Sequence, residues 1–376
     1  MALTLGVVGE VAEGEKRVAL VPEVGKKLAD LKINISMERL AGLASHYKDA
    51  DYTGVTLKHS ADEVFAEAQL LWTVQPPTPE RIAKLNSGTV LAGLMQPYAD
   101  RERLQQLCAR GITSFAMELV PRISRAQSMD ALSSQGACAG YQCALIAAAR
   151  STKFFPMLTT AAGTIRPARV FVIGAGVAGL QAIATSRRLG AIVEAYDVRS
   201  AAREQIESLG AKFLDTGVTA EGAGGYAREL TAEEKAQQQE KLTKALALAD
   251  CIICTAAVPG RKAPVIITKE MVGRLKFGAI IVDMAAESGG NCELTVPGDH
   301  VIANDVNIHG PLNLPSRMPT HASEMYAKNL YNLFVPFIKE GELKLDMADE
   351  VLAGCLLTHE GRVVHEGVRK ILGISE

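Results

Sequence analysis

The chain has 376 residues, of which 48% are hydrophobic and 22% are charged, and its formal net charge is -2. This length predicts two domains, because a single hydrophobic core rarely grows beyond about 250–300 residues. The balanced charge disfavours nucleic acid as the main partner, and the absence of any run of eighteen apolar residues disfavours a membrane-spanning helix. We therefore expect a soluble enzyme of cytosolic type.

The first residues carry no basic region, so they predict a buried strand and not a signal peptide. The first third of the chain then alternates short apolar strands with helical stretches. The predicted strands are Leu3–Val8, Ile33–Met37, Leu70–Val74, Thr89–Leu94 and Ile112–Phe115. The predicted helices are Pro22–Leu31, Asp62–Ala68, Pro79–Leu85 and Asp100–Ala109. This alternation is typical of a parallel sheet that is flanked by helices.

A helix rich in Ala, Gly and Cys is predicted over Ser133–Arg150, where it passes from the first domain to the second. Further short apolar strands follow it. They are predicted at Val170–Ile173, Ile192–Tyr196, Lys212–Leu214, Cys251–Thr255 and Ile280–Asp283, and the series ends near Val301–Asn304. The spacing of Cys251 and Cys254 is that of a redox motif, but alternation on a buried strand is the favoured interpretation. No ligand spacing of His or Cys predicts a metal site.

An amphipathic helix is predicted over Thr320–Lys339, with Thr320 as its N-cap. Its apolar stripe comprises Ala322, Met325, Tyr326, Asn329, Leu330, Leu333, Phe334 and Phe337. We expect this helix and the tail to return to the first domain. The predicted domains are therefore 1–135 with 308–376, and 136–307. The predicted fold is α/β, with two Rossmann-like domains, each a mostly parallel helix-flanked sheet, separated by a cleft.

The motif Gly174-x-Gly176-x-x-Gly179 follows a buried strand and opens a helix. In this context the first glycine allows the tight turn, the second makes room for a pyrophosphate, and the third lets helix and strand pack closely. The helix N-terminus, beginning at Val177, directs backbone N–H groups at the phosphates. The pattern predicts a dinucleotide site, and a plain tight turn between strand and helix is the alternative.

The second strand of this unit ends at Asp197, roughly twenty residues after the motif, where a carboxylate would meet the ribose 2′-hydroxyl. A carboxylate there repels a 2′-phosphate, which favours NAD(H) over NADP(H). Arg199 weakens this preference, because an arginine can accommodate the phosphate.

Four blocks together resemble the NAD(H)-binding domain I of proton-translocating nicotinamide nucleotide transhydrogenase, in the form of its separate α-chain. They are Glu118–Gln135, the glycine motif with Tyr196–Arg199, Gly222–Glu229, and Val282–Cys292. The likeness spans nearly the whole chain, and the first and third blocks are the most specific. Alanine dehydrogenase shares the two-domain architecture and is the relative to exclude.

The resemblance implies which residues act on the cofactor. Catalytic roles fall on Arg122, Gln127, Asp130, Ser133 and Tyr226. The first four belong to a loop that grips the nicotinamide end, and Tyr226 belongs to a mobile loop that closes over the site. Further NAD(H) contacts are implied at Ile123, Ser124, Arg125, Gly174, Gly176, Val177, Gly179, Asp197, Val198, Arg199, Gly225, Gln238 and Ala257.

Several of these residues have a simpler interpretation. Asp130 is also a candidate N-cap of the helix after it, and it can serve both roles. Arg125 and Gln127 could be solvated loop residues, and Tyr226 could anchor its own glycine-rich loop. Gln238 lies in a polar helix, where solvation alone would explain it.

Alanine dehydrogenase needs an arginine and a lysine for its substrate and a histidine as acid/base. The corresponding positions here are Arg17, Gln75 and Gln96. Glutamine has no useful pKa, so this chain lacks the proton shuttle that amino-acid oxidation requires. Without those companions, Arg17 is better explained as structural, paired with an acidic neighbour.

The resemblance thus implies the NAD(H)-binding component of a transhydrogenase, which passes hydride from NADH to NADP+ held on domain III while membrane domain II translocates protons. It also implies a homodimer and a cytoplasmic position, peripheral on the inner membrane through its partner subunits. The chain end carries no run-in to a membrane segment, which favours a separate subunit. The alternatives are an alanine or opine-type amino acid dehydrogenase, and a catalytically silent NAD(H) sensor.

Overall fold

The computed structural model describes residues 2–218, 230–258 and 260–374. Two compact units are formed, one by Met1–Gln135 with Pro315–Glu376 and one by Gly136–Leu314. The sequence predicted the second junction at residue 308, whereas the structure has it slightly later, between Leu314 and Pro315. None of the helices formed by the described residues is both long and apolar enough to cross a bilayer.

The amino-terminal part of the first unit alternates strands and helices. Its elements are β1 (Thr4–Val7), α1 (Pro22–Ala29), β2 (Asn34–Glu38), β3 (Thr56–Lys58), α2 (Ala61–Glu67), β4 (Leu70–Trp72), α3 (Pro79–Lys84), β5 (Val90–Gly93), α4 (Arg101–Ala109) and β6 (Thr113–Ala116). Helix α5 (Ala131–Arg150) follows and starts two residues before its predicted beginning. Strand β3 escaped prediction because it is short and two of its three residues are polar.

The second unit continues the same rhythm. Its elements are β7 (Leu158–Thr160), β8 (Gly163–Ile165), β9 (Arg169–Ile173), α6 (Val177–Arg188), β10 (Ile192–Tyr196), α7 (Ala202–Ser208), β11 (Lys212–Phe213), α8 (Ala232–Leu246), β12 (Cys251–Cys254), α9 (Lys269–Val272), β13 (Ile280–Asp283), β14 (His300–Ala303) and β15 (Val306–His309). Cys251 and Cys254 are both buried free thiols on β12, which confirms the strand interpretation.

The carboxyl-terminal part returns to the first unit. Its elements are α10 (Pro319–Phe334), β16 (Ile338–Lys339), β17 (Glu342–Leu343), α11 (Glu350–Cys355), β18 (Leu356–His359), β19 (Arg362–Val363) and α12 (Glu366–Leu372). The prediction of Thr320 as the N-cap was wrong. Pro319 occupies the first turn of the helix, where its missing N–H costs nothing, and the Thr320 hydroxyl donates to the Ser45 carbonyl instead. The helix also ends before Lys339, since Pro336 cannot continue it.

In the described part of the first unit, the main sheet has the strand order β19-β18-β6-β5-β4-β1-β2-β3. The strands from β1 to β6 pair in parallel, and β18 adds to β6 antiparallel. Helix α10 packs its apolar stripe on this sheet. The Phe334 ring meets the Phe115 ring edge-on at 5.7 Å between centroids and lies 6.1 Å from the Trp72 ring.

Among the described residues of the second unit, the main sheet has the order β11-β10-β9-β12-β13-β15-β14 and is parallel except for β14. The chain leaves β9 toward β10 on one side, and later returns to place β12 on the other side. The strand order therefore reverses between β9 and β12. Ligands of such sheets bind at this reversal, outside the carboxyl ends of the strands. The fold class is thus confirmed as α/β with two Rossmann-like units.

Candidate functional site

The glycine motif lies between β9 and α6, at the point where the strand order reverses. Gly174 has a φ of +89°, and a Cβ there would come within 2.9 Å of Thr255 Oγ1. A Cβ at Gly179 would collide with the carbonyl oxygen of Gly174. These two glycines are therefore required by the turn and by the close contact of helix with strand.

Gly176 differs from the other two, because a Cβ there would meet nothing within 4 Å. Gly176 is also the N-cap of α6, and no side chain caps that helix end. Open space in front of uncapped backbone N–H groups is the arrangement that a pyrophosphate requires. The described residues therefore fit the dinucleotide that the motif predicts. Val177, the next residue, is 46% exposed at the same helix end.

Asp197 follows β10 and is 7% exposed. One carboxylate oxygen accepts from the Ala175 N–H at 2.7 Å and from Arg199 Nη2 at 2.8 Å. The other accepts from the Arg199 N–H and from Arg199 Nε, each at 2.8 Å. Burial alone would raise the pKa of Asp197, but Arg199 and the two backbone N–H groups outweigh it and hold that pKa below its ordinary value.

An ionised carboxylate offers about four lone-pair sites, and these four donors fill them. A ribose hydroxyl that bonds to Asp197 must therefore displace or share one of the present donors. Arg199 is the donor that can move, since its guanidinium is 26% exposed. Val198 lies half-buried between the two. The structure thus brings Asp197 and Arg199 together as one ion pair, a pairing that sequence spacing alone did not show.

Gln238 lies on α8 and donates through Nε2 to the Tyr196 hydroxyl at 2.7 Å. Its side chain is therefore not simply solvated, and it faces the end of β10 one residue before Asp197. Ala257 is exposed, just beyond the carboxyl end of β12. Gly225 and Tyr226 lie outside the described residues.

Asn291 is a supporting residue to which the sequence assigned no individual role. Its side chain donates to the Ala256 carbonyl at 2.7 Å and accepts from the Ala256 N–H at 3.0 Å, so it fixes the segment after β12. Asp283 in turn accepts from the Asn291 N–H at 2.8 Å. Burial raises the pKa of Asp283 despite these bonds. Asp283 and Asn291 both lie in the block Val282–Cys292 that carries part of the resemblance. Its sequence pattern did not indicate that Asn291 holds the Ala256 backbone or that Asp283 holds Asn291.

In the first unit, the predicted nicotinamide loop forms a 3-10 helix over Ser124–Met129, after the exposed Arg122 and half-buried Ile123. The side chain of Gln127 is exposed. Asp130 accepts from the Ser133 N–H at 2.9 Å and from the Ser133 hydroxyl at 2.6 Å. The N-cap interpretation of Asp130 is therefore confirmed, and Asp130 and Ser133 form a local pair.

Arg125 is half exposed and makes a two-pronged contact with Asp349, at 2.9 and 3.1 Å. Asp349 also caps α11 by accepting from the Val351 and Leu352 N–H groups. The Arg125 hydrogen bond lowers the pKa of Asp349. Arg125 is therefore not a simple solvated charge, because it fastens the loop to the carboxyl-terminal segment.

The expectation that Arg17 pairs with an acidic neighbour is confirmed. Arg17 is 3% exposed, and its Nε and Nη2 donate to Glu15 at 2.8 and 2.6 Å. Burial opposes the charge on Glu15, but Arg17, Ser316 and Gln75 outweigh it and lower the pKa of Glu15 to about 2. Gln75 donates to Glu15 at 2.8 Å and accepts from Gln96 Nε2 at 3.2 Å. Gln75 and Gln96 thus bond to each other, as neutral amides.

Two further carboxylates border this cluster. Glu10 accepts from the Val74 and Gln75 N–H groups at 2.6 and 3.1 Å, and burial raises its pKa to about 7. Glu118 accepts from the Met95 and Gln96 N–H groups, and burial raises its pKa also. Both carboxylates hold backbone in place at the ends of β4 and β5.

Comparison with known proteins gives family matches over most of the chain. The N-terminal domain model of the alanine dehydrogenase/PNT family matches residues 6–139, and its C-terminal domain model matches residues 143–366. An NAD(P) transhydrogenase alpha-subunit chain of Rhodospirillum rubrum is 44% identical, across 96% of this chain and 98% of that protein.

Two solved structures are similar as well. The crystal structure of transhydrogenase from Sinorhizobium meliloti has a TM-score of 0.88 and 41% identity, covering 96% of this chain and 100% of that one. An L-alanine dehydrogenase structure has a TM-score of 0.83 over 99% of both chains, but at 24% identity it shares the fold alone.

Proposed function

The chain belongs to the alanine dehydrogenase/PNT family, and we propose that it is the NADH-binding component of a proton-translocating nicotinamide nucleotide transhydrogenase. It is an oxidoreductase of the NAD(P) transhydrogenase class and it binds a nicotinamide nucleotide. In the proposed reaction, NADH gives a hydride to NADP+ held on a partner, which yields NAD+ and NADPH. Both nucleotides are therefore substrates.

The contact between Gln75 and Gln96 carries the proposal. Oxidation of an amino acid needs a group that moves a proton, and two amides that bond to each other cannot do so. Hydride transfer between two nicotinamides needs no proton transfer, only orientation of the rings. The neutral pair thus favours transhydrogenation over the alanine dehydrogenase alternative.

The second unit would hold the adenosine and pyrophosphate ends of NADH. Gly176 leaves space for the phosphates at the α6 N-terminus, and the Asp197–Arg199 pair lies where the adenosine ribose is expected. Gln238 and Ala257 would complete that end. The low pKa of Asp197 keeps its carboxylate ionised and able to accept from a ribose 2′-hydroxyl, which supports NAD(H) as the bound form.

The first unit would orient the nicotinamide. The exposed amide of Gln127 can both donate to and accept from a carboxamide, and the Asp130–Ser133 pair can accept from its NH2 group. Arg122 would contact phosphate or ribose. Arg125 would act through the loop, since Asp349 already engages its guanidinium.

The names of the relatives support a transhydrogenase made of several subunits, and the resemblance supplies the proposed partners. We place NADP(H) on domain III and proton translocation in membrane domain II, with this chain as a cytoplasmic homodimer that reaches the inner membrane through them. A catalytically silent NAD(H) sensor remains the alternative from another class.

Mixing the chain with NADH and an NADP+-loaded domain III tests the proposal against both alternatives. We expect NADPH to form only when both proteins are present, and no reduction of NAD+ by L-alanine with the chain alone. Reduction of NAD+ by the amino acid would identify a dehydrogenase. NADH binding without any transfer to domain III would identify a sensor.

A further inference from the structure

Helix α10 contacts the predicted nicotinamide loop through two amides. Asn329 Nδ2 donates to the Ser128 carbonyl at 2.9 Å, and Asn332 Nδ2 donates to the same oxygen at 3.1 Å. Ser128 lies next to Gln127 and two residues before Asp130. The carbonyl that these amides hold is therefore in the middle of the segment proposed to orient the ring.

Asn329 is 6% exposed and stands in a buried face of α10 that is largely apolar. A buried amide costs free energy unless its hydrogen bonds are satisfied, whereas a leucine would pack there without that cost. Both ends of the Asn329 amide are engaged, since its Oδ1 accepts from the Ser134 hydroxyl at 2.6 Å. The position is thus specialised for holding polar groups and not for packing.

The same hydrogen bonds continue into the buried cluster around Arg17. Gln135 Nε2 donates to Ser134 Oγ at 3.2 Å, and Gln135 Oε1 accepts from Arg17 Nη1 at 2.9 Å. Glu15 holds the opposite side of the Arg17 guanidinium. A continuous polar chain therefore runs from Glu15 to the Ser128 carbonyl, entirely within the first unit.

We propose that Asn329 is a positioning residue for hydride transfer. Its amide fixes the Ser128 carbonyl, and Ser134, Gln135 and Arg17 hold that amide in one orientation. The arginine whose counterpart binds substrate in alanine dehydrogenase thus serves here to support the nicotinamide loop. This inference rests on the proposed function, because the loop must orient a nicotinamide for the placement to matter.

Three variants test it. Asn329→Leu removes both bonds, Asn329→Asp keeps the acceptor for Ser134 but loses the donor to Ser128, and Ser134→Ala removes only the support. Asn86→Leu is the matched control, because the Asn86 amide also donates to two backbone carbonyls in this unit, those of Phe65 and Ala66. Each variant is assayed in the full chain for NADH dissociation constant, single-turnover transfer to NADP+-loaded domain III, and amide exchange over residues 124–130.

We expect both Asn329 variants to bind NADH within about threefold of wild type and to transfer hydride roughly tenfold to a hundredfold more slowly, since small misplacements carry penalties of that order. Amide exchange over 124–130 should accelerate in both, even without NADH. Ser134→Ala should show a smaller effect of the same kind, and Asn86→Leu none.

Wild-type transfer by Asn329→Asp would overturn the inference, because that variant lacks the donor while staying polar. Equal losses of affinity and transfer rate would also overturn it, since they indicate a merely structural role. If wild type itself gave no transfer, the proposed function would fail instead. Amide exchange over residues 124–130 would then still show whether the bond from Asn329 to the Ser128 carbonyl holds the loop.

Discussion

The candidate binding segments of the two units are built in different ways. The second unit relies on backbone: Gly174, Gly176 and Gly179 shape a turn whose open space and N–H groups suit a pyrophosphate. The first unit relies on side chains, in which neutral amides such as Asn329 and Gln75 hold loops through long-range hydrogen bonds.

Their carboxylates differ as well. Asp197 in the second unit accepts from two backbone N–H groups and from the Arg199 guanidinium, whereas Asp130 in the first accepts from the N–H and the hydroxyl of Ser133. The difference teaches that affinity and ring placement should be separable: changes in the second unit should alter binding, and changes in the first should alter transfer.

The largest effects should come from the glycines. Gly176→Ala places a methyl in open space, so we expect unchanged thermal stability and NADH affinity weakened roughly tenfold to a hundredfold by the clash with the pyrophosphate. Gly179→Ala should destabilise the fold by about 1–3 kcal/mol or more, because the methyl meets the Gly174 carbonyl. Calorimetry of both variants, with and without NADH, checks the contrast. Equal thermal destabilisation by both would contradict it.

A pH effect on stability should arise from Glu10 in the first unit. The pKa of Glu10 is raised to about 7 from an ordinary value near 4.5, so the folded chain keeps a proton that the unfolded chain has lost. The free energy of unfolding should therefore fall as pH rises from about 4.5 to about 7. Since the Glu10→Gln side chain has no such proton to lose, this variant should be more stable than wild type at pH 8 by up to about 3 kcal/mol.

Urea unfolding between pH 2 and 8 measures this difference. Glu15→Gln is the opposite control, since the Glu15 pKa is lowered to about 2 and its ionised form stabilises the fold at neutral pH. That stabilisation is lost as pH falls from about 4.5 through 2. Parallel curves for wild type and Glu10→Gln would refute the assignment.

Gln127→Asn should separate binding from transfer. Shortening the amide by one methylene withdraws it from the ring and leaves the rest of the nucleotide in place. We expect NADH affinity within severalfold of wild type and single-turnover transfer slower by about tenfold. Losses of equal size in both quantities would show that Gln127 binds without orienting.

The smallest effect should be on nucleotide selectivity. Arg199→Gln leaves the Asp197 carboxylate uncompensated and frees two of its lone-pair sites, so the preference for NADH over NADPH should rise roughly threefold to fivefold. Arg203→Gln is the matched control, because Arg203, on the neighbouring helix α7, pairs with Asp215 instead. A preference that moves toward NADPH would contradict this role.

Short-range sequence patterns predicted much of the fold. The β9–α6 motif and the alternation of strands and helices predicted the sheets, because those patterns depend on residues close in sequence. The errors were also local: the short polar strand β3 lacks an apolar pattern, and Pro319 replaced Thr320 as the feature that starts α10.

The supports of the site could not be predicted in this way. Arg125 meets Asp349, and Asn329 meets Ser128, across about two hundred intervening positions. No spacing rule connects such residues, since the packing of α10 and α11 on the first sheet determines which side chains meet. The pairing of Arg199 with Asp197 is near in sequence, but its geometry emerges only from the burial of that carboxylate.

Isotope tracing tests the central claim most directly. NADH carrying deuterium at the transferred C4 position is mixed with the chain and NADP+-loaded domain III in ordinary water, and the NADPH is analysed by mass spectrometry. The account predicts that the deuterium passes intact to NADPH, because the hydride moves directly from the C4 of one nicotinamide to the C4 of the other. NADPH that instead contains hydrogen from the solvent would contradict it.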